Sequence, residues 1–349
     1  MSDPLVVLDA DVLGRRRTGD ETYVSALLAE LTKLAHGLRL AAVTRRPELV
    51  PDGVEAVPLD ADSQIVRMGV GMPRLLRRLG PRLAHFQHVV APWCPCPAVV
   101  TIHDLSFERH PELMSRRDRF VFRTMVPRSV RRAARVLAVS EWTKQDLIEH
   151  YGIAAEKVVV TPNGVDSLFA PNGSRRRGAP YALFVGTLQP RKDPIAALEA
   201  LALVDRELRL MLVGPDKGSE GEARRVAAKL GLEERVQFTG HVEKHELAEL
   251  YRGAACLVFP SRYEGFGLPV VEAMASGTPV VASATGSIPE IAGDAAILVE
   301  PGDPAALAGG IERAIADRDR LVPAGLERAS RYSWSETARL TLAVYQELL

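Results

Sequence analysis

One stretch, Leu257–Ala282 (LVFPSRYEGFGLPVVEAMASGTPVVA), constrains the fold more than any other. LVF is a short apolar run of the kind buried in a parallel sheet. The loop Glu264-Gly265-Phe266-Gly267 follows. Pro269 stands where a first helical turn tolerates proline, because the N–H groups there lack intrahelical partners. Gly277 suits the position just past a helix, and Pro279-Val280-Val281 opens the next strand. The stretch thus reads as strand, loop, helix, turn, strand. Helix N-terminal amides attract an anion, while Glu264 in the loop and Glu272 inside the helix offer carboxylates to hydroxyls. Phosphate beside polyol is the chemistry of a sugar nucleotide.

The same grammar runs through the rest of the chain. LVVLDADVL (5–13) suits a first buried strand, and Thr18-Gly19-Asp20 reads as a turn before a helix carrying Tyr23, Leu27, Leu28, Leu31 and Leu34 at helical spacing. Apolar runs recur at 38–44, 83–88, 98–104 and 134–140, with helical or loop segments between them, which predicts an α/β domain with a mostly parallel sheet. Ser140 is placed to cap a helix three residues before Thr143. LFAPNGSRRRGAP (168–180) lacks periodicity and is rich in Gly, Pro, Ser and Arg, so the domain boundary is expected there. The pattern then restarts with strands at 181–187, 209–216, 235–241 and 295–303 around the opening stretch. The expected architecture is two Rossmann-like domains, residues 1–170 and 171–331, with their parallel sheets facing across a cleft. A last helix, about 332–349, is expected to pack back on the first domain.

Composition excludes several classes. The 349 residues are 47% hydrophobic and 25% charged with a formal net charge of zero, so bulk charge gives no argument for nucleic acid. No apolar run reaches the roughly 18–20 residues of a transmembrane helix. MSDPLVVLDADVLG lacks the basic start and long apolar core of a signal peptide, and three cysteines build no disulfide framework. A cytoplasmic setting is expected. Cys94-Pro95-Cys96 has no partner pair at zinc spacing and reads as a structural loop. The fingerprint GxGxxG is missing, which argues against a dinucleotide redox cofactor. His103 and Asp104 end a strand, where they either project into a ligand crevice or orient their own turn. Residues 109–135 hold nine arginines against Glu112 and Asp118. That run is either a solvated helix face or a patch for an anionic headgroup or phosphate-bearing acceptor, with peripheral contact at the inner membrane face.

Taken together, PSRYEGFGLPVVEAMASGTPVV, GTLQPRKDP, LVGPD, FTGHV, PNGVD and TIHDLSF resemble, in order and spacing, the retaining family-4 glycosyltransferases of the GT-B fold. The resemblance covers nearly the whole chain. It implies that Glu272 accepts hydrogen bonds from the nucleotide ribose and that Glu264 lies near the donor sugar. Backbone amides of Gly265, Phe266, Gly267 and Leu268 would hold sugar hydroxyls and phosphate. Arg191 and Lys192 resemble the basic pair that binds the diphosphate, where fixed cations stabilise a leaving group without a metal. His103 matches a histidine that contacts the donor sugar, and Gly19 matches a glycine loop against which acceptor and phosphate pack. The chain departs from the pattern at Thr187, where many members carry an arginine. It departs again at Asp20-Glu21, where many read Gly-x-Gly.

The implied activity is metal-independent, retaining transfer of a hexose from a nucleoside-diphosphate sugar, with no cofactor. GDP-mannose is the donor favoured by the TLQPRKDP and TIHDLSF phrasing, with UDP-glucose and UDP-N-acetylglucosamine open. The acceptor is a glycan, a lipid-linked acceptor or a small molecule. A nucleotide-sugar epimerase and a non-catalytic sugar-nucleotide-binding protein are the alternatives on the same fold.

Overall fold

The computed structural model describes the chain apart from residues 1–2, 16–17, 62, 114–115 and 205–206. It divides into two compact units, Met1–Gly164 with Ser333–Leu349, and Val165–Tyr332.

Among the described residues of the first unit, β1 (Leu5–Asp9), β2 (Arg39–Thr44), β3 (Glu55–Pro58), β4 (Leu83–Gln87), β5 (Ala98–Ile102), β6 (Arg135–Ala138) and β7 (Val158–Val160) form one parallel sheet. Its order is β3-β2-β1-β4-β5-β6-β7, with Val7 opposite Ala41 on one side and Ala84 on the other. Every residue of β1 and β5 is buried, the reason these strands read as continuous apolar runs. β3 escaped the periodicity because it is an edge strand in which Val57 alone is buried. Pro58 is tolerated there, since an edge strand has no neighbour to which it must donate.

One expectation is corrected. Thr18-Gly19-Asp20 is the first turn of the helix Thr18–Leu34, not a turn before it. Asp20 and Glu21 place negative charge at that helix start, where the backbone dipole favours it. Gly19 is exposed, and a Cβ there would meet no described protein atom within 4 Å, so no described part of the protein requires a glycine there. Glu21 instead accepts the Gly14 N–H at 2.7 Å, closing the preceding loop. Arg16 and Arg17 of that loop lie outside the described residues. The acids at the end of β1 have a structural task. Asp9 and Asp11 pair with Arg67, whose side chain is 1% exposed. A guanidinium out of water needs such partners.

The helix Trp334–Leu348 packs on Thr18–Leu34 within the first unit, capped by the Ser333 hydroxyl. Its Tyr345 is hydrogen-bonded to His85 Nδ1. His85 Nε2 lies 2.7 Å from the Thr101 hydroxyl, and that hydroxyl 3.0 Å from Tyr23 Oη. Burial pushes His85 down to about 3, so the imidazole is neutral and gives one proton while accepting another. Tyr345→Phe removes one member of this dry chain. The expected cost is about 1–3 kcal/mol in urea unfolding; a change within about 0.3 kcal/mol would mean that the bond adds no net stability.

Among the described residues of the second unit, β8 (Tyr181–Val185), β9 (Arg209–Val213), β10 (Val236–Gly240), β11 (Cys256–Phe259), β12 (Val280–Ser283) and β13 (Ile297–Val299) form a second parallel sheet, in the order β10-β9-β8-β11-β12-β13. In each sheet the strand order reverses once, between β1 and β4 and between β8 and β11. Ligands of open α/β sheets bind beyond the carboxyl ends of the strands at such points.

Candidate functional site

At the reversal in the second sheet, the segments after β8 and β11 meet. β8 runs into Gly186, whose φ of +155° suits glycine, and then into the short turn Pro190–Lys192. A Cβ on Gly214, after β9, would collide with the Gly186 carbonyl, so two glycines let these loops touch. Asp193 ends the turn at φ +51°. It caps the helix Pro194–Leu203 through the Ala196 N–H and takes a 2.8 Å hydrogen bond from Arg262 Nε. The turn is thereby fixed at its base, and Arg191 and Lys192 are held toward the segment after β11.

That segment presents Glu264, which is 6% exposed. Lys192 Nζ donates to Glu264 Oε1, and Arg191 Nη1 lies 3.5 Å from Oε2. Arg191 Nη1 also donates to the Tyr263 carbonyl at 2.8 Å. Burial works against the Glu264 charge, but Lys192 and Arg191 outweigh it and hold the carboxyl below its usual range. Its backbone is pinned as well, because the Glu264 carbonyl accepts the Ser287 N–H at 3.0 Å. A Cβ on Gly286 would strike that carbonyl.

Gly267, at φ +95°, is the N-cap of the helix Leu268–Ala275, and no side chain caps that end. Pro269 has no N–H to offer and the Val270 N–H donates to the Gly267 carbonyl at 2.9 Å, so among the first three helical residues Leu268 carries the amide not spent within that turn. Phe266 is buried, its ring edge-on to Tyr332 at 5.5 Å, which steadies the loop from beneath. Glu272 sits in the body of the helix and accepts a 2.9 Å hydrogen bond from Tyr251 Oη. Burial raises Glu272 to about 7, against the smaller opposing effects of the Tyr251 bond and the Lys244 charge. As expected from the sequence, Gly277 follows the helix at φ +72°.

His103 and Gly19 belong to the first unit. His103 Nε2 donates to Gln87 Oε1 at 2.9 Å, and its ring stands edge-on to Tyr23 at 4.8 Å. Burial lowers it to about 4, so it is a neutral hydrogen-bonding group. Beside it stand His88, with ring centres 5.1 Å apart, and Asp20, 3.7 Å from His88 Nε2. The ligating atoms of Asp20, His88 and His103 all lie within 4.8 Å of one another, a set that could close on a divalent metal. Asp146, Glu149 and His150 form the other such group among the described residues, but Arg109 already bridges the two carboxylates.

The structure thus gathers Arg191, Lys192, Glu264 and its following loop at one reversal point, and sets His103 at the ends of β4 and β5 in the other unit. Sequence reading missed Tyr251 and His88. Tyr251 meets Glu272 across two helices and has no local signal; His88 had one, as a polar residue ending the strand phrase LAHFQH. The arginine-rich stretch is partly spent on internal pairs. Arg109 binds Asp146 and Glu149, Arg123 binds Glu108, and Arg135 binds Glu347. Arg116 and Arg117 are exposed beside Phe120, which is 72% exposed.

Residues 17–167 match the model of Glycosyltransferase Family 4, and residues 169–339 match that of Glycosyl transferases group 1. The chain is 30% identical over 269 residues to the O-antigen chain mannosyltransferase B of Escherichia coli, covering 72% of this chain and 70% of that one. It is 35% identical over 242 residues to the D-inositol 3-phosphate glycosyltransferase of Acidothermus cellulolyticus. That match covers 62% of this chain and spans about half, 54%, of the relative's length. The fold is similar to that of the sucrose-phosphate synthase from Thermosynechococcus elongatus, with TM-score 0.82, 24% identity and 99% of each chain covered.

Proposed function

This chain belongs to the family-4 glycosyltransferases, glycosyl transferases group 1, and on that premise we propose that it moves a hexose from a nucleoside-diphosphate sugar to an acceptor hydroxyl, with retention and without a metal. The observation that carries this reading is the preformed cluster of Arg191, Lys192 and Glu264 beside an uncapped helix start. When the donor bond breaks, negative charge grows on the diphosphate. Lys192 and Arg191, already held in place by Glu264, meet that charge with little reorganisation. The Phe266, Gly267 and Leu268 amides bind phosphate or sugar oxygens. Glu272, with one oxygen occupied by Tyr251, turns the other to the ribose hydroxyls. Neutral His103 serves a sugar hydroxyl. The leaving phosphate oxygen takes the acceptor proton on the face it departs from, which gives retention.

GDP-mannose is the proposed donor. The TLQPRKDP phrase and the activity in the name of the Escherichia coli relative support it. Acceptors with an anionic group are favoured by Arg116 and Arg117. A thermal-shift series with GDP, UDP, GDP-mannose, UDP-glucose and UDP-N-acetylglucosamine, each with and without EDTA, tests the donor. Saturation at 100 times Kd stabilises by about 2.7 kcal/mol. We expect the largest shift with GDP-mannose, unchanged by EDTA, and GDP release that requires an acceptor. Stabilisation by UDP-sugars alone would move the donor to uridine, and release without acceptor would overturn transfer to an acceptor hydroxyl.

A further inference from the structure

The loop between β4 and β5 carries Cys94 and Cys96, which the donor chemistry does not use. Its two ends are fixed. The His88 N–H donates to the Thr101 carbonyl at 2.9 Å, the Val90 N–H to Ser129 Oγ at 3.0 Å, and the Ala84 N–H to the Pro97 carbonyl at 3.1 Å. Val90 and Ala91 are buried, whereas Trp93, Pro95 and Pro97 are exposed and both thiols are half-buried. Between these anchors, Pro95 fixes its own φ and restricts Cys94 before it to extended backbone. The result is two sulfurs 3.8 Å apart, with the Cys94 thiol also 3.4 Å from the Cys96 carbonyl. An S–S bond needs about 2.05 Å, so the two sulfurs must approach each other by less than about 2 Å to close it.

We propose that Cys94 and Cys96 form a redox-active dithiol that closes reversibly to a disulfide by exchange with a small-molecule disulfide such as oxidised glutathione. The Cys94 thiolate attacks one glutathione sulfur and expels a glutathione thiolate, leaving a mixed disulfide on Cys94. Cys96 then loses its proton to solvent and attacks the Cys94 sulfur. The intramolecular bond forms as the second glutathione thiolate leaves. Two electrons pass from the protein to the oxidised glutathione, and reduced glutathione in excess runs both steps backward.

The division of labour follows from the surroundings. A hydrogen bond from Cys96 lowers Cys94 to about 7 despite its partial burial, with help from the Arg132 charge. The same bond, from the donor's side, raises Cys96. Cys94 is thus the attacking sulfur and Cys96 the resolving one. The third cysteine, Cys256, is 0% exposed and serves as an internal control.

The full-length chain is incubated with oxidised glutathione, quenched in acid, denatured, treated with N-ethylmaleimide and weighed by mass spectrometry. The expected product carries one maleimide, on Cys256, with no glutathione, against three maleimides for the reduced protein. Cys96→Ser should trap a glutathione on Cys94, and its formation should speed up roughly tenfold from pH 6 to pH 8. Cys94→Ser should trap little. Three maleimides on the treated wild type, a glutathione adduct persisting on it, or a bridge between two chains would each overturn the proposal.

Discussion

Lys192→Ala is expected to lower turnover about 100- to 1,000-fold while moving the donor KM only a few-fold, the pattern of a group that meets charge formed in the transition state. The Lys192 side chain is 12% exposed, and its ammonium stands 5.1 Å over the Phe259 ring and is held by Glu264 before any donor arrives. The substitution also leaves buried Glu264 with Arg191 as its cationic neighbour at 3.5 Å. In the native protein the Glu264 carboxyl lies below its unfolded value, so it contributes stability above that value and loses it as pH falls through the lower, folded one. Without Lys192 the folded value rises, and acid unfolding should begin at higher pH. Steady-state kinetics together with a pH series of unfolding midpoints separates the two effects. Unchanged turnover with a shifted acid limb would leave Lys192 a purely structural partner of Glu264.

Glu272→Gln should move binding and stability in opposite directions. Its carboxyl is raised to about 7 by burial, so the folded state prefers the protonated form. Its effect on stability is most favourable below the unfolded value near 4.5 and is lost as pH rises through about 7. Glutamine removes the burdened charge and keeps an oxygen for the Tyr251 hydroxyl. The unliganded variant should therefore be more stable than the parent at pH 8, by about 1–2 kcal/mol after allowance for partial exposure. That margin should shrink toward pH 5. Donor affinity behaves otherwise, since ribose hydroxyls lose a charged acceptor worth about 1.5–3 kcal/mol, or roughly 10- to 100-fold in Kd. The parent should bind the donor more tightly from pH 6 to pH 8 as Glu272 ionises, and the variant should show no such slope. Calorimetric titration at both pH values decides it; equal affinities for parent and variant would remove Glu272 from the donor site.

Much of this was legible in the residues because buried parallel strands are apolar throughout and the breaks between them are glycines and prolines with defined tasks. Gly277, Pro269 and Ser140 each sit where their chemistry requires. Local signals failed where a partner is distant in sequence. Nothing near Glu272 announces Tyr251, and nothing near Asp9 announces Arg67. β3 was invisible because an edge strand has few residues to bury. Gly19 misled for the opposite reason: glycine reads as a turn, yet here the acids after it start a helix. The arginine count over 109–135 overstated the free charge because carboxylates at Glu108, Asp146, Glu149 and Glu347 lie outside that window.

The split of the first unit between Met1–Gly164 and Ser333–Leu349 bears on the order of events at the ribosome. Val165–Tyr332 has its whole sequence available before the helix Trp334–Leu348 is made, and domains generally fold as they emerge. His85 and Thr101, made early, wait for Tyr345, which follows the whole second unit in the chain, to complete their hydrogen-bonded chain. During synthesis the older segment therefore keeps a polar slot exposed where the helix Trp334–Leu348 will dock, and the younger unit can finish first.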